Sequence, residues 1–207
     1  HNIAIGYNAF LGGDCGGGSE VAVGNIAIGS YALDATSADN HTGTIAIGYQ
    51  ALTENLGAAY NTAIGYQAGY FATTAASSTF IGFQAAKGIT SAKLTGNANT
   101  VIGDNAGLML QGAANENTIV GRGAAIGLTV GTNNVAIGGA SMGGENAGNS
   151  IIGSNNVCVG YLAGYEMQAD TNDNTLVGTN AGQNLEAGDN NTAIGKGSLV
   201  AVVGGDQ

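Results

Sequence analysis

The chain contains no proline and no tryptophan, two cysteines among 207 residues, and a charged fraction of only 9%. Proline removes a backbone donor and is confined to sheet edges, so its absence favours a chain whose N–H groups are committed to hydrogen-bond ladders. Glycine is abundant, at 38 residues. It lacks the three-residue period of collagen, and the accompanying isoleucine and valine argue against disorder. The composition therefore favours an ordered β protein.

Basic residues are also scarce. Four Lys and Arg stand against 14 Asp and Glu, which gives a formal net charge of −10. Nucleic-acid binding depends on basic stripes that displace counterions, so we expect no nucleic-acid partner. No apolar run is long enough to span a bilayer, so we expect no membrane insertion.

A short motif recurs along the whole chain. Its clearest copy is Asn-Thr-Ala-Ile-Gly-Tyr-Gln-Ala-Gly at positions 61–69. A fixed core with variable spacers is typical of solenoids, in which each unit forms one coil. The repeat predicts an all-β parallel solenoid of about eleven coils, forming a single domain over residues 1–207. The glycine of the core falls at Gly6, Gly29, Gly48, Gly65, Gly82, Gly103, Gly121, Gly138, Gly160, Gly178 and Gly195.

The residue before each of these glycines is always Ile or Val, which predicts a strand. Neighbouring strand residues point to opposite faces. We predict that this column faces the interior of the coil and forms its core. Its members are Ile5, Ile28, Ile47, Ile64, Ile81, Ile102, Val120, Ile137, Val159, Val177 and Ile194.

The residue two positions before each repeat glycine is also apolar in every unit. A second apolar face along the whole solenoid exceeds what soluble monomers tolerate, so it predicts side-by-side association of chains. The alternative is a monomer whose wider coil covers both faces with its own spacers. The predicted inter-chain face consists of Ala4, Ala27, Ala46, Ala63, Phe80, Val101, Ile119, Ala136, Cys158, Leu176 and Ala193.

Asparagine stands four positions before the glycine in nine of the eleven units, with Thr44 and Ser78 as the exceptions. Stacked coils would align these amides into a hydrogen-bonded ladder, and asparagine suits the tight backbone of a corner. The predicted structural ladder consists of Asn2, Asn25, Asn61, Asn99, Asn117, Asn134, Asn156, Asn174 and Asn191.

Residues that could carry chemistry are few. Only His1 and His41 could act as general bases, and neither stands beside a repeated partner, so we predict no catalytic residues and no enzyme. Asp170, Asp173 and Asp189 lie in turns rich in oxygen donors, the ligand type that calcium prefers. They are the candidate metal ligands, although Asx-rich turns also form without metal. We expect no other cofactor.

The two cysteines are not expected to form a bridge. Cys15 follows the first coil and Cys158 lies on the ninth strand, about 35 Å apart at the usual strand spacing, far beyond disulfide reach. Cys158 replaces the alanine of the motif and is interpreted as a small core residue. Cys15 is either free or paired between chains.

Aromatic residues follow the glycine in three consecutive units, at Tyr49, Tyr66 and Phe83. The spacing predicts a stacked aromatic ladder. Stabilisation by side-chain stacking is its expected role, and a sugar- or receptor-binding surface is the alternative.

These units resemble the head repeats of trimeric autotransporter adhesins and the Ala-Ile-Gly repeats of bacteriophage tail fibres. The resemblance implies a left-handed parallel β-roll in which three chains pack around a common axis. It also implies an extracellular location on a bacterial surface or a virion, and a host-surface receptor or glycan as partner. The matching cores are Asn2–Ala9, Asn25–Ala32, Thr44–Ala51, Asn61–Ala68, Asn99–Ala106 and Asn174–Ala181.

The sequence therefore favours a non-enzymatic extracellular fibre or adhesin domain that acts as a rigid trimeric rod in attachment. Two alternatives stay open. One is a subunit of a self-assembling filament that stacks end to end. The other is a repetitive surface that binds ice or glycans, which is disfavoured for ice because Ile and Val interrupt the threonine column.

Overall fold

The structure is a computed structural model, and it is all-β. Within the residues it describes, eleven three-residue strands and no helix are present, so no segment there is suited to crossing a membrane as a helix. The described residues are 1–11, 22–34, 41–143, 150–168, 170–185 and 188–199. The strands are β1 (Ile3–Ile5), β2 (Ile26–Ile28), β3 (Ile45–Ile47), β4 (Thr62–Ile64), β5 (Thr79–Ile81), β6 (Thr100–Ile102), β7 (Thr118–Val120), β8 (Val135–Ile137), β9 (Val157–Val159), β10 (Thr175–Val177) and β11 (Thr192–Ile194).

All eleven strands form one parallel sheet in chain order, from β1 to β11. Each residue pairs with the equivalent residue of the next repeat unit, as Ala63 pairs with Ala46 on one side and Phe80 on the other. The repeat alignment is therefore the structural register. The predicted parallel β-solenoid is confirmed, with one strand in each repeat unit, but it makes about nine turns where the repeat predicted about eleven coils.

A turn that contains residues with positive φ ends each strand. In the fourth unit Gly65 has φ +139°, Gln67 has φ +53° and Gly69 has φ +60°. The Ala68 N–H donates to the carbonyl oxygen of Gly65 at 3.4 Å, which closes the corner. Gly65 must be glycine for two reasons: L side chains rarely adopt this φ, and a Cβ atom there would overlap the carbonyl group of Gly82 in the next coil.

The strand faces are the reverse of the sequence prediction. In β4 the middle residue Ala63 is 0% exposed, whereas Ile64 beside the glycine is 38% exposed. The same inversion holds along the sheet, because the middle residues of β2 to β11 are all buried and the Ile/Val column is half-buried or exposed. The middle position, with residues that range in size from Ala63 to Phe80, therefore faces the core, whereas the Ile/Val column faces outward.

The prediction that Ile5, Ile28, Ile47, Ile64, Ile81, Ile102, Val120, Ile137, Val159, Val177 and Ile194 form the core is therefore wrong. So is the assignment of Ala4, Ala27, Ala46, Ala63, Phe80, Val101, Ile119, Ala136, Cys158, Leu176 and Ala193 to an inter-chain face. Of that second column, every member except Ala4, which lies on the exposed first strand, packs inside the chain's own coil.

Two interior columns have complementary sizes: the middle strand residue and the residue four positions after the glycine. A cavity or an overfilled layer would cost stability, so the volume in each coil is held nearly constant. Small middle residues face large partners and large ones face small partners. The pairs include Ala27 with Leu33, Ala46 with Leu52, Ala136 with Met142, Ile119 with Ala125 and Leu176 with Gly182.

The fourth coil is an exception, because Ala63 and Gly69 are both small, and the ninth coil, with Cys158 and Gly164, is another. The space in the fourth coil is filled by neighbouring coils: a Cβ atom on Gly69 would lie 2.6 Å from Phe80 Cδ2 and 2.9 Å from Leu52 Cδ2. Phe80 is fully buried there. Side chains of the neighbouring coils thus fill the space that Ala63 and Gly69 leave. Burying a side chain such as Phe80 contributes roughly 1.5–3 kcal/mol.

We predict that Gly65→Ala lowers the free energy of unfolding by about 3 kcal/mol or more, because it combines backbone strain with overlap between coils. Gly123→Ala is the matched control. Gly123 has φ +63°, and a Cβ atom there would meet nothing within 4 Å. Its loss should be about 1 kcal/mol, the cost of the left-handed conformation alone. Urea unfolding measures both, and equal losses would contradict the proposed contact between coils.

Candidate interaction surfaces

The outward side of the sheet is a continuous apolar surface, which we call the outer strand face. It consists of the first and third residue of every strand, which are 16 Ile or Val and six Thr, with no charged residue. Exposure is 38% at Ile64 and Ile137 and reaches 59% at Ile5 and 71% at Ile194. The apolar stripe anticipated from the repeat therefore exists, but on the opposite face of the strands. Its third-residue column is the Ile/Val column given above, and its first-residue column is Ile3, Ile26, Ile45, Thr62, Thr79, Thr100, Thr118, Val135, Val157, Thr175 and Thr192.

A ladder of buried asparagines runs inside one corner of the solenoid. The Oδ1 atom of Asn134 accepts from the backbone N–H of Asn156 at 2.9 Å and from its Nδ2 at 3.1 Å. The Nδ2 of Asn134 donates in turn to Asn117 Oδ1 at 3.1 Å and to the Gly153 carbonyl at 2.9 Å. The same contacts join each pair of successive units from Asn99 to Asn191. Each amide thus satisfies buried backbone groups that the corner leaves without a strand partner.

The two exceptions to the asparagine column follow the same logic. Ser78 keeps an acceptor in the column, because its Oγ accepts from the Asn99 N–H at 3.1 Å. The Thr44 N–H donates to Asn25 Oδ1 at 2.9 Å, so the contact from the preceding unit is retained. At Ser78 a hydroxyl oxygen thus replaces the amide as acceptor, whereas the Thr44 hydroxyl donates to the Ala58 carbonyl oxygen at 3.5 Å.

A second ladder, which the sequence analysis missed, lies six positions before the glycine. Here the side-chain oxygen accepts from the preceding coil: Asn115 Oδ1 from the Asn97 N–H at 2.7 Å, and Asp189 Oδ1 from the Asn172 N–H at 2.7 Å. Its polarity is opposite to that of the first ladder. The available signal was an oxygen-bearing residue at this position in each of the last six units, namely Asn97, Asn115, Thr132, Ser154, Asn172 and Asp189.

The candidate metal ligands belong to this hydrogen-bond system. Asp189 is the last acceptor of the second ladder, and Asp173 Oδ1 accepts from Asn155 Nδ2 at 3.0 Å. Asp170 Oδ1 lies 3.4 Å from Asn172 Nδ2. Over the part of the chain that the structure describes, no three His, Cys, Asp or Glu side chains come together as a metal site would require. Asp189 therefore caps a backbone N–H, whereas Asp173 and Asp170 accept from asparagine side chains.

His41, one of the two candidate bases, is 1% exposed. Its ring meets the ring of Phe10 edge to face, with centroids 6.3 Å apart, and its carbonyl oxygen accepts from Asn25 Nδ2 at 2.8 Å. His41 is thus an interior packing residue next to the asparagine ladder, which it contacts at Asn25.

Cys158 also lies in the interior, as a middle strand residue. Its Sγ atom is 3.5 Å from Met167 Sδ, and burial raises the pKa of the thiol to about 12. The thiolate is therefore rare at neutral pH, which makes the group a packing residue and not a nucleophile. Cys15 lies outside the described residues.

The aromatic residues after the glycine form the expected stack. Tyr49 and Tyr66 have ring centroids 5.4 Å apart with planes 14° from parallel, and Tyr66 and Phe83 are 5.3 Å apart at 11°. Beside them, Gln67 Nε2 donates to Gln50 Oε1 at 2.8 Å. Since the ring faces cover one another, this run stabilises the coil stack and offers a ligand mainly ring edges.

Comparison with known proteins adds no assignment to this geometry. No family model, no curated protein and no solved structure matches the chain.

We predict that Asn134→Ala lowers the free energy of unfolding by about 2–3 kcal/mol, because it leaves the buried Asn156 N–H without its acceptor. Asn134→Ser is the matched control, since Ser78 fills the same column and accepts through its hydroxyl. It should recover a substantial part of the loss in urea unfolding. Equal destabilisation by both variants would argue against the acceptor role.

The raised pKa of the Cys158 thiol predicts that it resists thiol reagents at pH 8, because it stays protonated and buried until the coil opens. Ellman's reagent tests this on a Cys15→Ser variant, which leaves Cys158 as the sole thiol. The reaction should appear only as urea unfolds the chain. Rapid stoichiometric labelling of the folded variant would contradict the interior placement.

Proposed function

We propose that this chain is a non-enzymatic structural domain of an extracellular fibre or adhesin, in which several copies form a rigid rod for attachment. The observation that supports this proposal is the outer strand face. It runs the full length of the sheet, carries no charge and is only partly covered by its own chain.

Such a face calls for an apolar partner. Soluble monomers rarely expose contiguous apolar patches of this extent, and larger ones mark sites of association. A second copy of the chain fits best, because a flat stripe of Ile, Val and Thr with one spacing complements an identical stripe. The net charge of −10 makes copies repel through the rest of their surface, so contact is favoured where charge is absent.

Three copies around a common axis, each a left-handed β-roll, are the arrangement that the resemblance to autotransporter heads and tail fibres implies. Parallel packing would bring equivalent Ile/Val columns together at every level of the rod. The third-residue column, with no Thr in eleven units, is the natural lining of that axis. The Thr-containing column would then lie towards the edge of the contact, where hydroxyls can reach water.

The rod would be stiff because each coil is bonded to the next at several points. Gly65 N–H donates to the Ile47 carbonyl at 2.8 Å, and Gln67 N–H donates to the Tyr49 carbonyl at 2.9 Å. With a spacing of about 4.8 Å between strands, eleven strands extend over roughly 50 Å. A rigid scaffold of this length can hold a receptor-binding loop at a distance from the surface to which the fibre is attached.

We predict that small-angle scattering of the chain gives a molar mass about three times the 20.2 kDa of one copy. Ile81→Lys, in the middle of the outer strand face, should dissociate this assembly, because a charge buried against apolar neighbours is strongly unfavourable. Glu116→Lys is the control on an exposed corner and should leave the mass unchanged.

A wild-type mass near that of a single copy would refute the association, as would an unchanged mass in the Ile81→Lys variant. Electron microscopy of the same sample separates a rod from a filament. Discrete short rods support the fibre-domain proposal, and long end-to-end polymers would replace it with the filament alternative.

A further inference from the structure

The residue after the glycine of each repeat unit forms an outward column that runs beside the outer strand face. Its side chains vary widely in size and charge from coil to coil, so the fold accepts many residue types at this position. The column consists of Tyr7, Ser30, Tyr49, Tyr66, Phe83, Asp104, Arg122, Gly139, Tyr161, Thr179 and Lys196.

At Gly139 this column has no side chain, and an opening results. Arg122 stands one coil before it and Tyr161 one coil after it, so the two side chains border a level that has no side chain of its own. The resulting cavity, which we call the Gly139 notch, has a volume of about 410 Å³ and is lined by Arg122, Gly139, Ala140, Tyr161, Leu162 and Tyr165. This volume is within the range of small-ligand sites.

One wall of the notch is an accessible aromatic ring. Tyr161 is 60% exposed, and its Cδ2 and Cε2 atoms lie 3.4 and 3.7 Å from the position that a Cβ on Gly139 would take. In the Tyr49–Tyr66–Phe83 run, by contrast, every level carries a ring that packs on the next. The glycine level leaves the space beside the Tyr161 ring to solvent or to a ligand.

The opposite wall is the only arginine of the chain. Arg122 is exposed, and its Nε lies 3.6 Å from Asp104 Oδ2 on the coil before, which holds the guanidinium on this column. A guanidinium binds carboxylates through paired N–H donors. In a chain of net charge −10, this guanidinium is the group at the notch that attracts an anion, and the neighbouring Asp104 carboxylate limits that attraction.

We propose that the Gly139 notch binds a sugar residue that bears a carboxylate, such as a uronic or sialic acid. Arg122 would bind the carboxylate, the Tyr161 ring would cover one apolar side of the sugar, and the hydroxyl groups of Tyr161 and Tyr165 would meet sugar hydroxyls. An isolated aromatic acid would leave these hydroxyl groups unmatched. The notch lies on one chain, but its role in attachment rests on the proposed function.

NMR titration of the full chain tests the proposal with a matched pair of probes, methyl β-D-glucuronide and methyl β-D-glucoside, which differ at the carboxylate. The glucuronide should bind at least about tenfold more tightly, the size expected for one charge-assisted hydrogen-bonded pair. N-acetylneuraminic acid, as a third probe, separates the two sources of the carboxylate: tighter binding of either acid identifies the preferred one.

Two variants locate the binding. Arg122→Gln should remove the preference for the glucuronide. Gly139→Leu should abolish binding of both glycosides by filling the notch, while the urea midpoint stays unchanged because other coils carry side chains in this column. Lys196→Gln removes another cation of the same column and should leave the affinity unaltered.

The proposal is overturned if neither the glucuronide nor N-acetylneuraminic acid binds more tightly than the glucoside, or if binding of the acid survives both Arg122→Gln and Gly139→Leu. These outcomes are independent of the scattering mass. A single-copy mass with intact glucuronide binding would refute the trimeric fibre and keep the notch, whereas a trimer without sugar binding would do the reverse.

Discussion

The contact on which the solenoid depends is between glycines of successive coils. A Cβ atom on Gly48, Gly65 or Gly103 would overlap the carbonyl group of the glycine one coil further along. The whole column has φ between +117° and +139°, a region that L side chains rarely adopt. Because the backbones meet without side chains between them at this corner, every coil approaches its neighbour equally closely. The register of the strands and the amide ladders both follow from that constant approach.

The size of the interior side chains can vary only within the fixed spacing between coils. Coil spacing is constrained by glycine, so a larger strand residue cannot push neighbouring coils apart and must be balanced within its layer. Leu176 opposite Gly182, and Ala46 opposite Leu52, are two solutions to the same volume. The spacers between units vary in length, and they also contribute buried residues such as Leu94, Leu110 and Leu128 to the core. A conserved frame with variable loops is an arrangement well suited to a scaffold whose specificity resides at a few exposed positions.

Two outward surfaces divide the functional possibilities. The outer strand face is uniform and uncharged, which suits contact with copies of the same chain over its whole length. The column after the glycine is irregular, and at Gly139 it opens a notch between a cation and an aromatic ring. A uniform face suits assembly, whereas a single irregular level suits recognition of one ligand group.

The sequence by itself determined the solenoid, its eleven strands, their register and the asparagine column, because these follow from a period and from local glycine and β-branched preferences. It also determined that both strand faces are apolar. Only the tertiary structure decided which face turns inward. That choice depends on the direction in which the corners bend. The bend is set by residues with positive φ, such as Leu52, Gln67 and Ala86, and these residue types do not predict a positive φ. The second ladder and the notch were hidden for a related reason, since each joins residues that become neighbours only when coils about 17 to 22 residues apart are stacked.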